Sequence, residues 1–246
     1  MKSVLIFLAL ALTASYAFAD EVAYGIDGET FSGYYAPADN PRGLVLIIHD
    51  WDGLTDYERR RADMLAEAGY DAFTLDMFGE QTPTQTVEHR RAATGALYAN
   101  RERMRTLLYE GLAQARARSS AEGLVVMGYC FGGAVTLEMA RSERADQAAG
   151  YATFHGGLAT PEGQTWSGDE PPILVMHGGA DRSVTVNQVV AFWRELESAG
   201  TPYTIEVYSG APHGFSVFDS SRYHERADTE SWEAFMDFLD ERLAGG

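Results

Sequence analysis

Val125-Val126-Met127-Gly128-Tyr129-Cys130-Phe131-Gly132-Gly133-Ala134 decides the fold. The apolar run reads as a buried strand, Gly128 to Gly132 as a tight turn, and Ala134 to Ala140 as a helix. Strand, turn and helix with a nucleophilic side chain at the bend form a nucleophile elbow, here with Cys at the position that Ser commonly holds. Side chains at 128 and 132 would collide with the neighbouring strand or helix, so both positions are Gly. Free N–H groups in the first turn of the helix would favour a thiolate at Cys130 and any oxyanion formed beside it. The alternative is a buried structural Cys in an ordinary Gly-rich turn. The composition bears on that choice. Cys130 is the only Cys, so it has no internal disulfide to make.

Working outward, the same strand-then-helix rhythm recurs. Glu21–Tyr24 and Thr30–Tyr35 flank Asp27-Gly28 and read as a hairpin. Leu44–Ile48 is a continuous apolar run, the pattern of a strand buried on both faces, and it leads into the loop His49-Asp50-Trp51-Asp52-Gly53. Asp56–Ala68 reads as a helix with Tyr57, Met64, Leu65 and Ala68 on its apolar face, stopped by Gly69. Tyr70–Leu75 is the next strand, and Thr86–Ser119 a long Arg-rich helical stretch that Asn100 divides. Its Arg90, Arg91, Arg101, Arg103 and Arg105 read as a solvated face paired with acids, with the option that one reaches a substrate carboxylate. Beyond the elbow come strands over Ala148–Phe154, Ile173–Met176 and Thr204–Tyr208, the last near a sheet edge. Val186, Val189, Val190, Trp193 and Leu196 predict one helix face, and Trp232, Phe235, Met236, Leu239 and Leu243 that of the last helix. The alternation predicts an α/β fold: a mostly parallel central sheet with helices on both faces.

Met1–Ala19 reads as a signal peptide, with one Lys, an apolar run from Val4 to Leu12 and the cleavage site Ala17-Phe18-Ala19. The expectation is an exported protein, periplasmic or secreted, whose residues 20–246 form one domain. The apolar run is too short to span a membrane, and no later stretch is long enough. A formal charge of −17 speaks against nucleic acid and anionic membranes as partners. Nothing in the composition separates a monomer from a small homo-oligomer. There is neither a dinucleotide fingerprint nor convincing metal-site spacing, so no cofactor and no metal is expected.

Three chemistry-bearing residues follow strands in the order Cys130, Asp181, His213. Nucleophile, acid, base is the chain order of α/β-hydrolases. Each lies in a loop after a strand, so all three can meet at one sheet edge. Together with Leu46–Leu54, Ala68-Gly69-Tyr70, Leu75–Gly79, Gly128–Gly133, His177–Asp181 and Ala211–Phe215, they make the chain resemble the dienelactone hydrolase family. The resemblance implies an α/β-hydrolase fold and a small ester or lactone as substrate. It assigns Cys130 as nucleophile, His213 as general base and Asp181 as the group that orients it. It also implies an oxyanion hole from the backbone N–H groups of Phe131 and Trp51. Asp50 stands where the family often carries Glu, a resting-state partner of the thiol, and is one methylene shorter. Family members acting on dienelactone bring arginines to the substrate carboxylate, one just after the catalytic His. Here Gly214–Phe218 has none, which leaves Arg222, Arg90 or Arg91. His49, His155 and His177 are read as loop-ordering, His89 and His224 as surface residues. Two other function classes compete: a redox-active thiol protein, weakened by the lack of a resolving Cys, and a non-catalytic binding domain on the same fold.

Overall fold

The computed structural model describes residues 19–244. The expected signal peptide, residues 1–19, lies outside the described residues except for its last position. Eight strands form one sheet in the order β1-β2-β4-β3-β5-β6-β7-β8. The hairpin is β1 (Asp20–Ile26) and β2 (Glu29–Ala36). β2 also pairs antiparallel with β4 (Asp71–Leu75), and the remaining pairings are parallel. β3 (Leu44–Ile48), β4, β5 (Leu124–Tyr129), β6 (Gly150–Phe154) and β7 (Ile173–Gly178) are buried along their whole length. Their apolar character comes from having a core on each side. β8 (Tyr203–Tyr208) is the half-exposed edge.

Side chains alternate between the two cores, as the pleat requires. Leu44, Leu46, Ile48, Leu124 and Val126 pack under α3 (Arg101–Arg116), α4 (Phe131–Ala140) and α5 (Val186–Ala199). Val45, Ile47, Val125 and Met127 pack under α1 (Asp56–Glu67) and α6 (Glu225–Leu243). Each fully buried aliphatic of this kind contributes roughly 1.5–3 kcal/mol. From β3 the chain steps to β4 on one side, then crosses by α2 (Val87–Ala99) and α3 to β5 on the other. The reversal opens a crevice at the carboxyl ends of β3 and β5, where ligand sites of such sheets lie. No helix of the described residues is long and apolar enough to cross a membrane.

Two helices depart from the sequence reading. In α5 the inner face is Val189, Phe192 and Leu196, while Val186 and Trp193 stand 42% and 41% exposed. Phe192 is taken inward by an edge-on contact with Trp166 at 5.5 Å, which sets the rotation of the helix. In α1 the buried face is Tyr57, Glu58, Arg61, Ala62 and Leu65, with Ala68 exposed. Two charged residues therefore sit inside, because the neighbouring loops supply partners for both.

Candidate active site

The elbow is built as tightly as its sequence requires. β5 ends at Tyr129, α4 begins at Phe131, and Cys130 between them has φ 48° and ψ −106°. A non-Gly residue at such a conformation costs on the order of 1–3 kcal/mol and persists only where its surroundings enforce it. Here the Cys130 N–H donates to the Phe154 carbonyl at 3.1 Å, and its own carbonyl accepts from Gly157 at 3.1 Å. A Cβ at Gly128 would lie 2.2 Å from the Gly132 backbone, and one at Gly132 would lie 2.2 Å from the Ile48 carbonyl oxygen.

Cys130, His213 and Asp181, distant in sequence, are in contact. His213 Nε2 lies 3.0 Å from Cys130 Sγ, and His213 Nδ1 lies 2.8 Å from Asp181 Oδ2. With Nδ1–H donating to the carboxylate, Nε2 is left free to accept the thiol proton. The other Asp181 oxygen accepts from the N–H groups of Ser183 (2.7 Å) and Val184 (2.9 Å). Burial by itself would raise the Asp181 pKa, but the hydrogen bond and charge of His213 and these two amides hold it below its usual value. Asp181 is therefore ionised under the imidazole.

The thiol is the opposite case. Burial, then the neighbouring Asp50 carboxyl, push the Cys130 pKa well up, against the lowering effect of the Phe131 N–H. Burial and Asp50 thus outweigh the helix terminus and favour the neutral thiol. Asp50 is itself raised, by burial first and then by the negative charge of the partly exposed Asp52. Its Oδ1 accepts from the Trp51 N–H at 2.5 Å. One of the two N–H groups expected to bind an oxyanion is thus occupied at rest, while that of Phe131 faces the sulfur.

Glu58, which the sequence reading did not single out, holds the Asp50 loop. Its carboxyl accepts from the Asp50 N–H (3.2 Å), and from the N–H and hydroxyl of Thr55 (2.9 and 2.7 Å), tying the start of α1 to the site. Burial raises its pKa to about 7. The signal was the capping box Thr55-Asp56-Tyr57-Glu58, which marks a helix start but says nothing of burial.

A cavity of about 380 Å³ opens over Cys130 and His213, walled by Trp51, Tyr98, Phe131 and Val184. Arg91 and Arg222 also line it, and neither makes an ion pair among the described residues. Arg90 does not join them. It donates to the Thr84 carbonyl at 2.7 Å and reaches Asp52 at 3.7 Å. Arg101 and Arg105 pair with the buried Glu138, and Arg103 with Asp27 and Glu29. Arg222 lies over the turn after His213, where a Cβ on Gly214 would come within 3.3 Å of its Cζ.

The other histidines divide. His49 orders its loop: Nδ1–H donates to the Asp50 carbonyl (2.6 Å), and Nε2 accepts from the Met77 N–H (3.0 Å). His155 bonds Ser216 Oγ through Nε2 at 3.0 Å. His177 is buried next to the end of β7, and neither ring nitrogen has a side-chain partner among the described residues. His89 is exposed, while His224 is half-buried and caps α6 by accepting from the Ala227 N–H at 3.3 Å. No group of three or more His, Cys, Asp or Glu among the described residues is placed to hold a metal ion.

Known proteins share this architecture. A carboxymethylenebutenolidase of Pseudomonas putida is 27% identical over 225 residues, covering 87% of this chain and 92% of that one. One from Rhodococcus opacus is 26% identical over 223 residues, covering 86% of each. The crystal structure of a dienelactone hydrolase-like promiscuous phosphotriesterase from metagenomic libraries superposes with a TM-score of 0.82 at 25% identity, over 91% of this chain and 97% of that one. The family model for dienelactone hydrolases matches residues 31–243, and the chain belongs to that family.

Proposed function

We propose that the protein hydrolyses small esters or lactones through a thioester on Cys130, with His213 as general base and Asp181 orienting it. The observation that carries this reading is the unbroken contact from Sγ through the imidazole to the carboxylate, 3.0 and 2.8 Å, set on a strained elbow. Sγ attacks the substrate carbonyl carbon as the thiol proton passes to His213 Nε2. The carbonyl oxygen gains the negative charge, and the N–H groups of Phe131 and Trp51 stabilise it, the latter once Asp50 releases it. The C–O bond breaks, the leaving oxygen takes the proton from His213, and the acyl group stays on sulfur. Water then gives a proton to His213 as its oxygen attacks the thioester, and the departing thiolate recovers that proton. A neutral resting thiol suits this cycle, since substrate rather than solvent triggers ionisation.

Arg91 and Arg222, which line the cavity and make no ion pair among the described residues, favour substrates that carry a carboxylate. Turnover quenched during steady state should yield protein carrying the acyl mass on Cys130, and Cys130→Ala should be inactive. In Arg91→Ala/Arg222→Ala, KM for a carboxylate-bearing lactone should rise by about 10-fold or more while a neutral ester is unaffected. Full activity in Cys130→Ala would refute the mechanism. We also infer export through the leader, which predicts Asp20 as the first residue of the processed protein.

A further inference from the structure

We propose that Ser216 and His155 form a positioning pair that sets the tilt of the His213 ring, an inference that rests on the reading of His213 as general base. The bond from His213 Nδ1 to Asp181 fixes one edge of the imidazole but not its rotation about that bond. A second contact does so. The His155 ring meets that of His213 edge-to-face, centroids 5.2 Å apart and planes at 65°. His155 is fully buried at the end of β6 with φ 42°, a conformation its surroundings must enforce. Phe215 stands edge-on to its ring at 5.4 Å, and Tyr129 lies across another face at 6.0 Å.

Ser216 ties this ring to the loop that carries His213. Its hydroxyl lies 3.0 Å from His155 Nε2 and 2.7 Å from the Tyr57 hydroxyl, and its single proton serves one of the two while the oxygen accepts from the other. Its carbonyl accepts from Arg61 Nη2 at 3.0 Å. Ser216 is fully buried, so these bonds have no competing water. The groups facing His155 that can carry positive charge are His213, Arg222, His177 and Arg61, and with burial they keep it neutral. A neutral ring does not compete with His213 for the thiol proton.

Two readouts on the full chain test the pair: ester turnover, and the pH profile of Cys130 alkylation by iodoacetamide, read by intact mass. Ser216→Ala and His155→Phe should each slow turnover about 10-fold or more. Their double variant should be no slower than the worse single one, because both break one contact. Alkylation should shift to higher pH in all three. His155→Gln, whose carboxamide can still reach Ser216 but offers His213 no ring, should recover little of the loss, and Tyr57→Phe should stay within about threefold of the parent. An unshifted alkylation profile, additive losses, or a Tyr57→Phe defect as large as that of Ser216→Ala overturns the proposal. Should His155→Phe not fold, Ser216→Ala, which removes one hydroxyl, decides alone. Alkylation does not depend on ester turnover, so a parent protein inactive on esters would refute the hydrolase reading while the alkylation arm still judges the pair.

Discussion

Asp181 holds the turn after β7 with one oxygen and His213 with the other. Asp181→Asn keeps the side chain's size and removes its charge, and in a comparable triad that change lowers kcat about 10,000-fold. A similar loss with an intact fold, seen by circular dichroism and steady-state kinetics, is expected here. The stability effect has a defined sign. A carboxyl held below its usual 3.8 favours the folded state above that pH, and the benefit disappears as pH falls through the lowered value. The stability difference between the parent and Asp181→Asn should therefore narrow on acidification, as denaturant titrations at several pH values would show. The three contacting residues were legible because each lies in a loop after a strand, in a distinctive order. Glu58 and Arg61 were not. A charged residue on an amphipathic helix reads as solvent-facing, and only the arrival of Asp50, Ser216 and Asp228 from distant segments makes burial tolerable.

At the scale of elements, the elbow is a fit between backbones. Gly132→Ala would put a methyl 2.2 Å from the Ile48 carbonyl oxygen, and backbone cannot give way as a side chain can. The expected result is a loss of roughly 3 kcal/mol or more, or no soluble protein. Gly95→Ala is the contrasting case: mid-helix in α2, exposed, with nothing within 4 Å of the added carbon. It should gain about 0.5–1 kcal/mol from helix propensity alone, measured by thermal and denaturant unfolding. The elbow could be read from sequence because Gly at 128 and 132 has a steric meaning there. The rotation of α5 could not, since Phe192 and Trp193 are both large and apolar, and only the position of Trp166 decides which turns inward.

Across the whole molecule, alternating apolar runs and helical segments were enough to predict the layered architecture, because strands with a core on each face are mostly apolar. A net charge of −17 also acts at this scale. Its self-repulsion is long-ranged, and raising salt from about 0.01 to 0.1 M shortens the screening length from about 30 to 10 Å. The melting temperature should rise modestly over that interval, as differential scanning calorimetry would show. Finally, Arg61 on the first helix pairs with Asp228 on the last, and the same guanidinium grips the Ser216 carbonyl. Ribosomal synthesis makes the sulfur-bearing bend long before Asp228 emerges. The loop that carries His213 and Ser216 is thus made before Arg61 has its carboxylate partner, and the clamp of the first helix on that loop is complete only when the final helix has closed.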